Sequence, residues 1–116
     1  WGPAQVWPYR SPRQQSEHLP CWPIGHELLQ ELKAEARHPY NACLLDFLLK
    51  HPRLIPEEWR SVCMFFFGTI YSDWNYIKNV PHVLYLYWRN GSWHWGARSL
   101  DQRWDSPRYL AAVSSK

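Results

Sequence analysis

The chain has no run of eighteen apolar residues, so no segment of its 116 residues reads as a helix crossing a membrane. A charged-then-apolar leader is also missing at the start, although the chain begins with Trp rather than Met, which leaves room for a removed segment before it. Thirteen Lys and Arg against ten Asp and Glu give a charge of +3, but no basic run gathers them. A nucleic-acid footprint normally collects such charges on one face. Cysteine is sparse. Cys21, Cys43 and Cys63 are odd in number and widely spaced, unlike the even, tight sets that staple small secreted folds, and this points to a reducing cytoplasm. Cys43, in an apolar helical run, and Cys63, in an apolar strand, are expected to act as small buried hydrophobes. No G-x-S-x-G elbow, phosphate-binding glycine loop or H-E-x-x-H pair occurs, which removes the motif-borne routes to catalysis. Internal repeats and low-complexity segments are absent too.

Aromatic residues are abundant instead: nine Trp, seven Tyr and four Phe. Such side chains bury large areas while keeping a polar handle, and they also dominate interface hot spots and stacking sites. Most of the Trp residues are expected in the core. At 46% hydrophobic and 20% charged residues the chain reads as globular, with length for one domain and not for two cores.

The segment Val83–Leu100, VLYLYWRNGSWHWGARSL, specifies a β-hairpin. Asn90-Gly91 is the pair a type I′ turn prefers, because both central residues need positive φ. That turn sets the register. Trp88/Trp93, Leu86/Trp95 and Leu84/Ala97 share one face, and Arg89/Ser92, Tyr87/His94 and Tyr85/Gly96 share the other. The first face is expected to be core and the second to be available to a partner.

Residues 1–23 hold five of the ten prolines and form a proline-rich aromatic arm, expected to be irregular or extended. Its rings either pin it to the domain or make it a linear recognition segment. Residues 24–116 then form one α+β domain. Ile24–Arg37 carries apolar residues at a repeat of four and reads as an amphipathic helix. Asn41 caps a second helix, Ala42–Lys50, and the pair is expected to form a helical hairpin. Pro56 with Glu57 and Glu58 predicts a short helical turn. Val62–Tyr71 reads as a strand covered on both faces, with Gly68 marking a bulge or the close approach of another backbone. Asp73–Pro81 is a loop presenting Trp74 and Tyr76. The tail supplies a short edge strand or turn before an apolar patch at Tyr109–Val113. The fold class is therefore α+β: two short helices followed by a small twisted antiparallel sheet, a meander or half-barrel.

Clusters with chemical potential give little. His18-x2-Cys21-x4-His26, with His38 and Cys43 beyond, approaches zinc-ligand spacing without matching it, and solvent-facing histidines on a Pro-rich corner are the simpler reading. No metal or cofactor is expected. Cys63 with His82 or His94 can be drawn as a nucleophile–base pair, but a thiol among Val62, Met64 and Phe65 should be inert. Asp101 and Asp105 are expected to cap turns or meet Arg98, Arg103 and Arg108. The order LLDFLLKHPRLIPEEW, FFFGTIY and YLYWRNGSWHW, followed by Leu-Asp and Trp-Asp, resembles a group of short uncharacterised bacterial proteins over about residues 40–113. That resemblance implies only a recurring compact module and no activity. The chain departs from it at Val62–Met64 and in Ser72–Val80.

The expected function is a small non-catalytic binding or adaptor module. Its contact surface is the aromatic–basic hairpin face, with Tyr85, Tyr87, His94, Arg89 and Arg98, extended by Trp74 and Tyr76. A protein partner or a second copy leads as occupant, a carbohydrate stacking on Tyr and Trp follows, and single-stranded nucleic acid comes third.

Overall fold

In the computed structural model, residues 6–10, 23–35, 38–71 and 80–114 are described, and statements below concern these residues. Five strands form one mixed sheet in the order β1-β5-β2-β3-β4. They are β1 (Trp7–Tyr9), β2 (Cys63–Phe65), β3 (His82–Arg89), β4 (Ser92–Ser99) and β5 (Tyr109–Val113), with helices α1 (Gly25–Ala34) and α2 (Ala42–Lys50) between β1 and β2.

The β3–β4 hairpin forms in the expected register: Trp88 opposes Trp93, Tyr87 opposes His94 and Tyr85 opposes Gly96. Asn90 and Gly91 take φ of 51° and 81°, the left-handed conformation that a tight two-residue turn demands. The rest of the sheet departs from a meander. β5 runs parallel to β2 and antiparallel to β1, so it sits inside the sheet and not at its edge. A purely antiparallel order fails because the chain leaves β2, makes the hairpin, and returns along the far side of β2 to fill the place beside it. The proline-rich arm is likewise not irregular throughout. Val6 is buried and Trp7–Tyr9 pairs with Val113–Ala111, since one flank of β5 would otherwise be unpaired. Pro8 is tolerated there because β1 is the edge strand. The rest of the arm lies outside the described residues, as do Trp74 and Tyr76.

The helices do not pair with each other. Leu28 and Leu32 of α1 pack with Tyr9, Phe65, Phe67, Val83, Ala111 and Val113, on one face of the sheet. Leu44, Leu45 and Leu48 of α2 pack with Met64, Phe66, Leu84, Leu86 and Ala112, on the other. The period of two in β2, β3 and β5 thus feeds two core clusters of one domain, one on each face of the sheet, where the length suggested a single core, and this explains the uninterrupted apolar run at Met64–Phe67. α1 begins where the Glu27 carboxylate accepts the Ile24 N–H at 3.0 Å and ends at Ala34, short of the expected Arg37. α2 has the expected bounds, with the Asn41 side chain accepting the Cys43 N–H at 2.9 Å. Two 3-10 turns follow it, Pro52–Leu54 and Glu57–Ser61. Gly68 is where another backbone comes close. A Cβ there would lie 2.7 Å from Pro39 O, because residues 38–40 insert between Gly68 and the end of β5 through Gly68 N–H to Tyr40 O and Tyr40 N–H to Ala112 O.

Burial of the aromatics also differs from expectation. Trp59 and Trp104 are buried, Trp88 and Trp93 are half-buried, and Trp7 and Trp95 are exposed, Trp95 by 51%. Trp95 borders a cavity beside α2, and Trp88 and Trp93 border another with Leu49 and Pro52, so the indoles of this face find no complete cover. Cys43 is exposed and Cys63 half-buried, neither being the buried hydrophobe expected.

Candidate functional site

The α1 face of the sheet is only partly covered. Cys63 pairs with Tyr109, and Phe65 pairs with Tyr85. Continuing that register by two residues, past Met64 opposite Leu86, sets Cys63 opposite Tyr87, which in turn opposes His94. A single row, Tyr109–Cys63–Tyr87–His94, therefore crosses four strands on one face. α1 packs nearer Phe67 and Val83 and leaves this row half-buried or, at His94, exposed.

The rings form a continuous ladder into the core. Trp104 and Phe65 have centroids 5.0 Å apart, Phe65 and Tyr85 4.8 Å, Tyr85 and Tyr87 5.5 Å, and Tyr87 and His94 5.5 Å with nearly parallel planes. Tyr85 lies over Gly96, where a Cβ would stand 2.8 Å from its hydroxyl. The absent side chain in β4 thus makes the seat for the ring. His94 Nε2 is 3.0 Å from Ser92 Oγ and 3.2 Å from Arg89 O, which orients the imidazole from below. Burial, then the neighbouring Cys63, Tyr87 and Tyr109, raise the Tyr85 phenol above its ordinary value despite Arg98. Burial also pushes the Cys63 thiol up, against Arg98 and Arg108, so the thiol keeps its proton at neutral pH.

Arg98 edges this platform. Its Cζ lies 5.2 Å from the Trp104 ring and 5.0 Å from the Tyr109 ring, its Nη2 donates to Arg103 O at 2.6 Å, and Asp105 is 3.7 Å away. The side chain is only 22% exposed. Its Nε and the Trp104 Nε1 are buried donors without an acceptor, so this corner holds positive potential that Asp105 offsets only in part. Arg89 and Arg108 are exposed and lack a carboxylate within 4.0 Å among the described residues.

Of the residues expected at the site, the structure brings Tyr85, Tyr87, His94 and Arg98 to one face, with Arg89 beside them at the hairpin tip. Trp74 and Tyr76 fall outside the described residues. Sequence reasoning missed Tyr109, Cys63 and Arg108, which arrive through the parallel β2–β5 pairing. No local pattern signalled them, because the apolar stretch Tyr109–Val113 does not name its neighbour. Cys63 and His94 share a row, but Tyr87 stands between them, so two strand spacings of about 5 Å each keep thiol and imidazole out of contact. His82 lies at the far end of β3, its Nδ1 2.9 Å from Val80 O. Asp105 meets Arg98 as expected, whereas Asp101 takes His26 at 2.7 Å. Among the described residues no three metal-ligating side chains gather, and His18 and Cys21 lie outside them. No helix of the described residues is long and apolar enough to cross a membrane. Comparison of the chain with protein-family models, curated proteins and solved structures returns no match.

Proposed function

We propose that the chain is a small, non-catalytic binding module that receives a protein partner on its aromatic–basic sheet face. The observation that carries this reading is the row Tyr109–Cys63–Tyr87–His94, laid across four strands and edged by Arg98, Arg89 and Arg108. Rings on a hydrogen-bonded sheet lose little freedom on contact, and half-buried Tyr with Arg at the rim is the composition of protein hot spots. The unpaired arginines favour an acidic segment as the partner's contribution. A thiol held protonated, with no base in reach, supports binding over covalent chemistry at the same place.

The test is a photo-crosslinking residue at position 94, compared with one at exposed Lys33 on α1. The reading expects position 94 to trap a defined protein species, or a second copy, in a manner abolished by Tyr87→Ala. Light scattering over a wide concentration range separates the second copy from a different partner. Binding of single-stranded RNA that falls steeply with salt and needs Tyr87 and His94 would sink the reading.

A carbohydrate reading has its own observation on the opposite face. Trp95 is 51% exposed and, with Tyr71 and Leu84, borders a cavity of about 270 Å³ beside α2. Quenching of the Trp95 emission by oligosaccharide, indifferent to salt and lost in Trp95→Ala, supports that alternative.

A further inference from the structure

The α2 face of the hairpin carries a second site that the platform does not explain. Trp88 and Trp93 meet edge to face at 5.1 Å, and the Arg60 guanidinium lies over the Trp88 ring at 4.2 Å. Leu49, at the end of α2, and Pro52, in the turn after it, close the other side. Between them lies a cleft of about 490 Å³, within the range of small-molecule sites, which run roughly 300–1,000 Å³. Its charged lining is Arg53 and Arg60 alone. Neither has a carboxylate of the described residues within 4.0 Å. Two neighbouring cavities on this face each include an acid, Glu58 beside Trp7 and Asp46 beside Trp95, whereas the charged lining of this cleft is cationic alone among the described residues.

We propose that the cleft binds a small molecule in which a flat apolar ring carries a carboxylate. The Arg60 guanidinium over the Trp88 ring has no carboxylate partner among the described residues, and its planar fork of donors is the geometry that fits a carboxylate. Trp93, Leu49 and Pro52 supply the apolar lining against which a flat ring can pack. Neither half of such a ligand suffices by itself. A neutral ring leaves both cations unanswered, and a bare carboxylate meets solvated arginines without desolvating anything. The cleft and the Tyr87–His94 platform occupy opposite faces of the hairpin, so the two assignments stand or fall separately.

The experiment titrates the full chain with 3-phenylpropionate, its neutral amide and acetate, following the indole N–H signals of Trp88 and Trp93, assigned with single Trp→Phe variants. The carboxylate should shift both signals and bind about fivefold more tightly than the amide, the scale of a solvent-exposed ion pair. Added salt should shrink that difference. Arg53→Gln, which removes no stacking contact, should reduce it, and Arg53→Gln with Arg60→Gln should abolish it. An unchanged melting temperature checks that both variants are folded. Tyr87→Ala with His94→Ala should leave the titration as it was. Equal affinity for acid and amide, an effect of acetate equal to that of the ring acid, or shifts confined to other indoles would overturn the assignment.

Discussion

Tyr9 shows how one hydroxyl ties a short strand to a helix. Its single proton is shared between Glu31, at 2.9 Å, and Glu35, both on α1 or at its end. Burial first, and these two carboxylates next, hold the phenol protonated far beyond its ordinary range. A folded-state value raised above the unfolded one gives stability that is complete below pH ~10, the unfolded value, and is lost as pH climbs toward the folded one. Chemical denaturation at a series of alkaline pH values should therefore fall more steeply for the native chain than for Tyr9→Phe. At neutral pH Tyr9→Phe should cost about 0.5–1.5 kcal/mol, a typical net hydrogen bond. Equal alkaline slopes would mean the phenol is not held this way. Gly96 offers a second residue-scale test. An added methyl collides with Tyr85 at 2.8 Å, so Gly96→Ala should destabilise by about 1–3 kcal/mol and shift the Tyr85 ring signals. Unaltered Tyr85 signals would show that the ring does not sit there. Neither contact was legible beforehand, since a glycine in a strand says that space is needed and not which side chain takes it.

At the scale of elements, local sterics explain what could be read. Gly91 has φ of 81° and open space around its missing side chain, so the cost of a β-branched residue there is conformational alone. Gly91→Val should lower stability by about 1 kcal/mol or more, while Gly91→Asn should cost less than half of that, because Asn tolerates the left-handed region. Thermal melts of the two variants check this, and equal losses would point to a clash instead. The bounds of α2 and its Asn41 cap were readable for the same reason: one side chain within two residues satisfies an orphan N–H. β1 and β5 were not readable as neighbours. Trp7–Tyr9 lies in a proline-rich stretch and Tyr109–Val113 near the other end, and their pairing depends on a flank of β2 that the hairpin leaves open.

For the whole molecule, the decisive fact is that adjacent phenylalanines serve different cores. Phe65 packs against Trp104, Tyr85 and Tyr109, whereas Phe66 packs with α2 and Trp59. Phe65→Ala and Phe66→Ala should each cost about 3–5 kcal/mol in denaturant unfolding, as buried aromatics do. A loss below ~1 kcal/mol for either, no more than the mildest core truncations, would mean that its face is not a core and the sheet is covered on one side only. The three-layer arrangement also decides the candidate sites. α1 leaves the Tyr109–Cys63–Tyr87–His94 row partly uncovered and α2 leaves cavities beside Trp88, Trp93 and Trp95, so the hairpin keeps two unlike surfaces, one phenolic and basic, one indolic and basic.

The amino-acid order by itself determined the hairpin, its register and the division of its residues between two faces, because a two-residue turn and a period of two are short-range constraints. It determined α2 in the same way, whereas the strand expected over Val62–Tyr71 forms only at Cys63–Phe65, because the chain turns at Phe67–Gly68 where residues 38–40 come close. Only the tertiary structure decided that the sheet is mixed, that β5 is interior, that the helices take opposite faces, and that Trp95 is more exposed than Tyr85. Those outcomes rest on which distant segments meet and on how far each helix reaches, and free energies of that kind belong to the assembled layers and not to any stretch of chain.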